Sequence, residues 1–175
     1  MATVAKGRAG RASIYIEGLA EFIREAEKID KRFNKEIRKA SFVVANDLVK
    51  TSQSNARMVQ HYQTGRSAMA VEAASGLRAR NDRFPTIELR SGGFVSKSRS
   101  NRKRKQKVQR SDVFFGAEFG GQARRSTNQF NAYVPSPSGR GGRGYFFWPT
   151  VKQEAPAIGK QYLAAIDRVI KTMYG

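Results

Sequence analysis

The chain has 175 residues, no cysteine and one histidine, which excludes disulfides and the cysteine-based sites that usually hold structural zinc. Lysine and arginine number 33 against 14 aspartates and glutamates, a formal net charge of +19, and such an excess indicates a polyanionic partner. Because no apolar run is long enough to span a membrane and none follows the basic start, we expect neither a membrane segment nor a secretory signal.

The N-terminal part of the chain predicts an arm, a strand and a long helix. Residues 1–11 are basic and rich in glycine and alanine, which favours a flexible arm. Residues 12–17 alternate in the pattern of a strand, and Gly18 follows them. Apolar residues then recur about every 3.6 positions, the period of a straight helix rather than of a coiled coil. The predicted apolar stripe is Leu19, Phe22, Ala26, Ile29, Phe33, Ile37, Ala40, Val44 and Leu48.

The middle of the chain predicts several antiparallel strands. Residues 68–74 and residues 84–90 alternate apolar and polar side chains on either side of a turn near Asn81, which indicates a hairpin. Further strand candidates are residues 111–119, 130–134 and 145–148, the last of them stopped by Pro149.

The C-terminal segment predicts a second helix, with Pro156 acceptable in its first turn. Its apolar stripe is Ile158, Tyr162, Ile166, Val169 and Met173. The predicted fold class is therefore α+β: an antiparallel β-sheet packed by one long N-terminal helix and one C-terminal helix, with long basic loops. Residues 12–175 are expected to form a single domain that carries loops at residues 92–110 and 123–144.

The two loops supply the candidate interaction residues. The first contains no acidic residue, and the second is rich in glycine, serine, asparagine and arginine. Lysine and arginine on phosphates release counterions, so these side chains could contact nucleic acid. The same charges could dock on an acidic protein surface or simply stay solvated. The candidates for interface or polyanion contact are Lys97, Arg99, Arg102, Lys103, Arg104, Lys105, Lys107, Arg110, Arg124, Arg125, Arg140 and Arg143.

Catalytic chemistry finds little support in the sequence. Asp82, Glu88 and Arg90 loosely match the spacing of metal-dependent nucleases, but an arginine cannot act as the base because its guanidinium does not deprotonate. His61, the sole histidine, cannot by itself form a zinc site. Residues 145–148 could stack on bases, although four adjacent aromatic residues more often anchor a core or an interface. We expect no enzymatic activity, no cofactor and no metal.

Four motifs follow one another along the chain: IEGLAEFIREAEKIDKRFNKEIRKA, TGRSAMAVEA, GAEFG at residues 116–120, and YFFWP at residues 145–149 before the last helix. Their order resembles that of the tail components of long-tailed bacteriophages, variously called neck, head–tail joining or tail-completion proteins. The resemblance covers nearly the whole chain. Members typically have a short strand, a long amphipathic helix, a TG turn into a strand, an E-[FY]-G segment and a proline-marked aromatic run before a C-terminal helix.

The resemblance implies a structural virion protein that is assembled in the host cytoplasm and located in the neck or tail. Copies would form a six-fold ring that joins the head connector to the tail terminator or tail-tube proteins and lets DNA pass, with non-specific contact to phage DNA as a further possibility. The alternative is a basic nucleic-acid-binding module of a ribonucleoprotein or DNA complex.

Overall fold

The computed structural model describes residues 2–6, 11–29, 31–60, 68–97, 105–121, 130–131, 134–135 and 142–175. These residues contain both helices and strands, as the sequence predicts. In chain order the elements are β1 (Ala2–Lys6), β2 (Arg11–Ile16), α1 (Leu19–Ile29), α2 (Lys31–Met58), α3 (Ala68–Ala74), β3 (Leu77–Arg80), β4 (Thr86–Leu89), β5 (Gly93–Lys97), β6 (Lys105–Gln109), α4 (Arg110–Phe119) and α5 (Phe147–Tyr174).

The chain divides into two compact units. The first consists of Met1–Lys50, Arg78–Glu88 and Val151–Gly175, and the second of Thr51–Leu77 and Leu89–Thr150. Helices α2 and α5 each contribute residues to both units. The single domain expected over residues 12–175 stays a prediction.

The first unit contains a four-stranded sheet in the order β1-β2-β4-β3. Strand β1 runs antiparallel to β2, from the pair Ala2–Ile16 to the pair Lys6–Ala12, and β2 is antiparallel to β4. Strand β1 occupies much of the predicted flexible arm. Its pairing gives hydrogen-bond partners to backbone N–H and C=O groups along one edge of β2 that would otherwise be unpaired. Amino-acid composition does not reveal such a pairing.

The predicted hairpin is half correct. Residues 86–89 form β4 after the expected turn, but its neighbour is β3 at residues 77–80. Residues 68–74, predicted as a strand, form helix α3 instead. Alanine, methionine and glutamate dominate this segment and favour helix, and in so short a stretch their propensity outweighs the apparent alternation.

Two further predicted strands are also helical. Residues 111–119 lie in α4, which ends at Gly120 with a φ of 80°. Residues 147 and 148 open α5, so Pro149 lies inside the first turn, where a residue without an N–H is tolerated. Of the predicted strand at residues 130–134, the described positions 130, 131 and 134 have no strand structure. An isolated bridge joins Pro135 to Gly142.

The long N-terminal helix is two helices, α1 and α2, and the second continues to Met58. The predicted stripe holds in α2, where Phe33, Ile37, Val44 and Leu48 are all buried. Among the side chains of α1 that the structure describes, Leu19 and Ile23 are buried, whereas Phe22 is 44% exposed. Residue 30, between the two helices, lies outside the described residues.

Helix α5 begins nine residues before Pro156, which was predicted to lie in its first turn. The predicted C-terminal stripe is confirmed in part, since Val169 and Met173 are half-buried. Ile158, Tyr162 and Ile166 are buried. The Tyr162 hydroxyl donates a hydrogen bond to the Arg83 carbonyl, which fastens α5 to the connection between β3 and β4. Burial raises the pKa of Tyr162 above its ordinary value, so the hydroxyl keeps its proton and remains a donor.

Candidate interaction site: the basic hairpin and its anchors

The described part of the basic segment at residues 92–110 is a two-stranded antiparallel hairpin rather than an irregular loop. Strands β5 and β6 pair over five positions, from Gly93–Gln109 to Lys97–Lys105. Residues 98–104 between the two strands, which include Arg99, Arg102, Lys103 and Arg104, lie outside the described residues. We call residues 93–97 and 105–109 the basic hairpin.

The register brings lysines together. Lys97 pairs with Lys105, and Lys107 pairs with Val95. The pairing therefore places two lysines at one register position and a third two residues along β6.

Arg110 anchors the base of the basic hairpin. Its backbone N–H donates to the Gly92 carbonyl at 3.2 Å, and its guanidinium Nη1 donates to the same oxygen at 3.1 Å. Its Nε donates to Ser75 Oγ at 2.7 Å, and Nη2 lies 3.7 Å from Glu72 Oε2. Arg110 was predicted as a polyanion contact, but these bonds give it a positioning role between the hairpin and the C-terminal end of α3.

Gly76 and Gly92 allow this anchor to form. A Cβ at Gly92 would lie 2.9 Å from Arg110 Nη1. A Cβ at Gly76 would lie 3.0 Å from the Arg90 carbonyl oxygen and 3.2 Å from Arg110 Cδ. The Gly76 carbonyl also accepts the Arg90 N–H at 2.9 Å. The close approach of these segments therefore depends on the absence of two side chains.

Helix α4 follows the basic hairpin directly and ends in a buried carboxylate, Glu118. Its Oε2 accepts the backbone N–H groups of Phe146 at 3.2 Å and Phe147 at 2.9 Å, and its Oε1 accepts that of Trp148 at 2.6 Å. A helix leaves its first four N–H groups without internal partners. At the start of α5 these four positions are Phe146, Phe147, Trp148 and Pro149. Glu118 accepts the N–H groups of the first three, and Pro149 has no N–H.

The environment of Glu118 is otherwise tight and apolar. Burial raises the pKa of this carboxyl above its ordinary range, although the N–H groups at the start of α5 act in the opposite direction. Gly144 has a φ of +81°, and a Cβ there would overlap Glu118 Oε1. The Phe114 ring meets the rings of Phe146 and Phe147 edge to face, each at 5.7 Å between centroids.

Helix α4 also carries a stacked aromatic pair, one member of which is exposed. Phe115 is 57% exposed, and its ring stacks on that of Phe119 at 6.4 Å with 14° between the planes. In the same unit, Asn55 Nδ2 donates to Thr150 Oγ1 at 2.7 Å, joining the end of α2 to the first turn of α5.

The remaining candidate residues are only partly described. Lys97, Lys105, Lys107 and Arg110 belong to the basic hairpin and its anchor, and Arg143 is exposed beside the Pro135–Gly142 bridge. Outside the described residues lie Arg99, Arg102, Lys103, Arg104, Arg124, Arg125 and Arg140, together with His61 and the TG turn at residues 64–67.

The acids of the nuclease-like spacing have a different role. Arg80 Nε donates to Asp82 Oδ2 and Arg80 Nη1 donates to Glu88 Oε2, both at 2.9 Å. The bond to Glu88 and the charge of Asp82 raise the pKa of Arg80. Both carboxylates therefore hold the β3–β4 connection. Within the described ranges, no three histidine, aspartate or glutamate side chains are grouped to hold a metal ion.

The sequence singled out neither Glu118 nor Arg110 for the role it has here. Glu118 is the only acid in a run of small and aromatic residues, and that isolation is the signal that could have marked it. No helix in the described part of the chain is long and apolar enough to cross a bilayer. Comparison with protein-family models, curated proteins and solved structures found no match to this chain.

Proposed function

We propose that this protein is a structural, non-enzymatic component of the neck of a long-tailed bacteriophage. Copies form a ring, six-fold in symmetry, that joins the head connector to the tail terminator or tail tube and lets DNA pass.

The contact between GAEFG and YFFWP carries the proposal. These motifs, residues 116–120 and 145–149, support the resemblance separately in the sequence. In the structure they are two halves of one arrangement, because the carboxylate of the first caps the helix that begins in the second. A shared contact gives a physical reason for the two motifs to occur in one chain, whereas chance matches to two short motifs would have no such reason.

The charge of the chain supports the same proposal. Six copies would carry six times the +19 of one chain, so a ring of this protein needs anionic partners to limit its self-repulsion. DNA in the channel and acidic surfaces on the adjoining rings would supply them.

Disruption of the gene in the parent phage tests the proposal. We expect DNA-filled heads and complete tails that fail to join, as seen by electron microscopy of the lysate, and joining restored when the protein is supplied from a plasmid. Purified virions should contain the protein. Normally joined particles without it, or virions that lack it, would contradict the proposal.

The alternative is a basic nucleic-acid-binding module of a ribonucleoprotein or DNA complex. The paired lysines of the basic hairpin favour it. Such a module would co-purify with nucleic acid from cells and would be absent from virions, so the same virion analysis separates the two functions.

A further inference from the structure

We propose that the exposed face of α1 in one copy of this protein binds the exposed face of α2 in a second copy, in a head-to-tail arrangement. The inference deepens the proposed function by naming the surfaces through which copies meet. It rests on that function for the expectation that successive contacts close into a ring. Both faces belong to the first unit of the chain.

The outward side of α2 is basic and partly apolar. Lys35, Lys39, Phe42 and Val43 are exposed, and at about 100° per residue they lie within an arc of about 100° around the helix. Phe42 is 41% exposed and Val43 is 59% exposed. Among the described residues of α2, none in this arc is acidic. Apolar side chains rimmed by polar ones are typical of a protein-binding surface.

The outward side of α1 has the complementary character. Glu21, Phe22 and Glu25 are exposed within an arc of about 100°, and Glu17 is exposed just before the helix. Phe22 is 44% exposed, and its ring meets that of the buried Phe33 edge to face at 6.2 Å between centroids. The core therefore holds Phe22 in place while part of its ring faces solvent. Each face thus carries an exposed phenylalanine, with acids on one face and bases on the other.

The charges on the two faces are available to a partner. Glu17 and Glu21 form no ion pair with the residues that the structure describes, and the same holds for Lys35. Glu25 and Lys39 have only exposed pairs within their own helices, each at 2.7 Å, and such pairs contribute little to stability.

Most other acids of the described chain are already engaged within the protein. They form ion pairs or, in one case, cap a helix. The engaged acids are Glu36, Asp47, Glu72, Asp82, Glu88, Glu118 and Asp167.

A second copy suits the α2 face because its own α1 supplies both acids and an aromatic ring. The chain has a net charge of +19, so most pairs of surfaces on two copies repel each other. Residues 17–30 are the exception in the sequence, because they contain five of the 14 acids. Opposite charges across a contact fix its register and choose its partner. Because the two faces differ, each assembly keeps one free face at either end until a ring closes.

Charge reversal tests the contact in the full-length protein. An acid-reversed variant carries Glu17→Lys and Glu21→Lys. A base-reversed variant carries Lys35→Glu and Lys39→Glu. A charge-swapped variant carries all four substitutions, so that its two faces are again complementary with the signs exchanged.

A matched control places the same reversal outside the two faces, as Lys160→Glu and Arg168→Glu at exposed positions of α5. Sedimentation velocity measures assembly at about 50 and about 500 mM salt, because salt screens contacts between exposed charges. Circular dichroism checks that every variant remains folded.

We expect the unmodified protein and the control to assemble beyond a dimer, and to do so less at high salt. The acid-reversed and base-reversed variants should each assemble at least about 10-fold more weakly, because like charges then face each other. Mixed in equal amounts, these two variants should assemble with each other, since each supplies the face that the other lacks. The charge-swapped variant should assemble by itself.

Several outcomes would overturn the inference. They are an unmodified protein that stays monomeric, reversed variants that assemble as it does, and a folded charge-swapped variant that does not recover. Assembly that stops at a dimer would overturn the head-to-tail arrangement. Unchanged assembly with lost binding to a duplex of about 20 base pairs in the base-reversed variant would assign the α2 face to nucleic acid instead.

The virion analysis stays independent of this test. A monomeric protein that is present in virions and needed to join heads to tails would overturn the contact and leave the neck function standing. A protein that assembles as expected but is absent from virions would do the reverse.

Discussion

Glu118 illustrates how one side chain fixes the start of a helix. The residue at the N-cap position of α5 is Phe146, whose side chain cannot accept a hydrogen bond. A carboxylate 28 residues earlier in the sequence takes over that role for Phe146, Phe147 and Trp148. The negative charge also lies at the positive end of the helix dipole. Against these gains stands the loss of hydration in a buried site, which is why the pKa of Glu118 is raised.

Replacing Glu118 tests the cap. Glu118→Ala removes the acceptor of three N–H groups, so we expect the free energy of unfolding to fall by about 3 kcal/mol or more. Glu118→Gln keeps one carbonyl oxygen as acceptor and should cost less. Chemical denaturation at pH 7 measures both variants. Similar unfolding free energies for Glu118→Ala and the unmodified protein would show that water replaces the carboxylate.

The pH dependence of stability follows from the raised pKa. A carboxyl whose pKa is higher in the folded state stabilises the protein fully below its ordinary pKa, and that contribution is lost as pH rises through the raised value. The Gln variant does not titrate at this position. The advantage of the unmodified protein over Glu118→Gln should therefore be largest in acid and shrink towards neutral pH. An advantage that grows with pH would mean that the N–H groups outweigh burial and that the pKa is lowered.

At the scale of elements, long periodic helices were predictable and short segments were not. In the stripes from Phe33 to Leu48 and from Ile158 to Ile166, the large apolar side chains are buried as expected. Several turns of consistent spacing determine which side of a helix faces the core. The seven residues of α3 and the ten of α4 contain too few turns to separate alternation from helical period. The aromatic run at residues 145–148 looked like a strand because its cap comes from a distant glutamate.

Helix α2 offers a matched pair of substitutions. Phe33 is fully buried and Lys35, two positions later on the same helix, is exposed. Phe33→Asp removes a large apolar side chain and buries an unpaired charge, so it should cost at least about 4 kcal/mol. Lys35→Asp should change stability by less than about 0.5 kcal/mol. Thermal unfolding of both variants checks this. Equal melting temperatures would contradict the assignment of the Phe33 side of α2 to the core.

At the scale of the whole molecule, the sequence predicted where charge lies better than what the charge does. The basic segment was expected as a loop, yet its described ends pair as β5 and β6. Its last residue, Arg110, is half-buried and hydrogen-bonded to Gly92 and Ser75. The sequence shows the charge of a residue but not its partners. Those partners depend on the pairing register of the strands and on the close approach of Arg110 and Arg90 to Gly76 and Gly92, which tertiary structure sets. The candidate interaction residues therefore stay a prediction, and the structure adds the backbone pairing of the segment that carries some of them.

The division into two units has a consequence for synthesis. The second unit is complete once residue 150 has been made, whereas the first also requires Val151–Gly175. A ribosome-bound chain can therefore form the Glu118 cap and the Arg110 anchor while the N-terminal sheet still waits for the last turns of α5, whose Tyr162 holds the β3–β4 connection. The order of folding would then differ from the order of translation, because the N-terminal strands belong to the unit that is completed last.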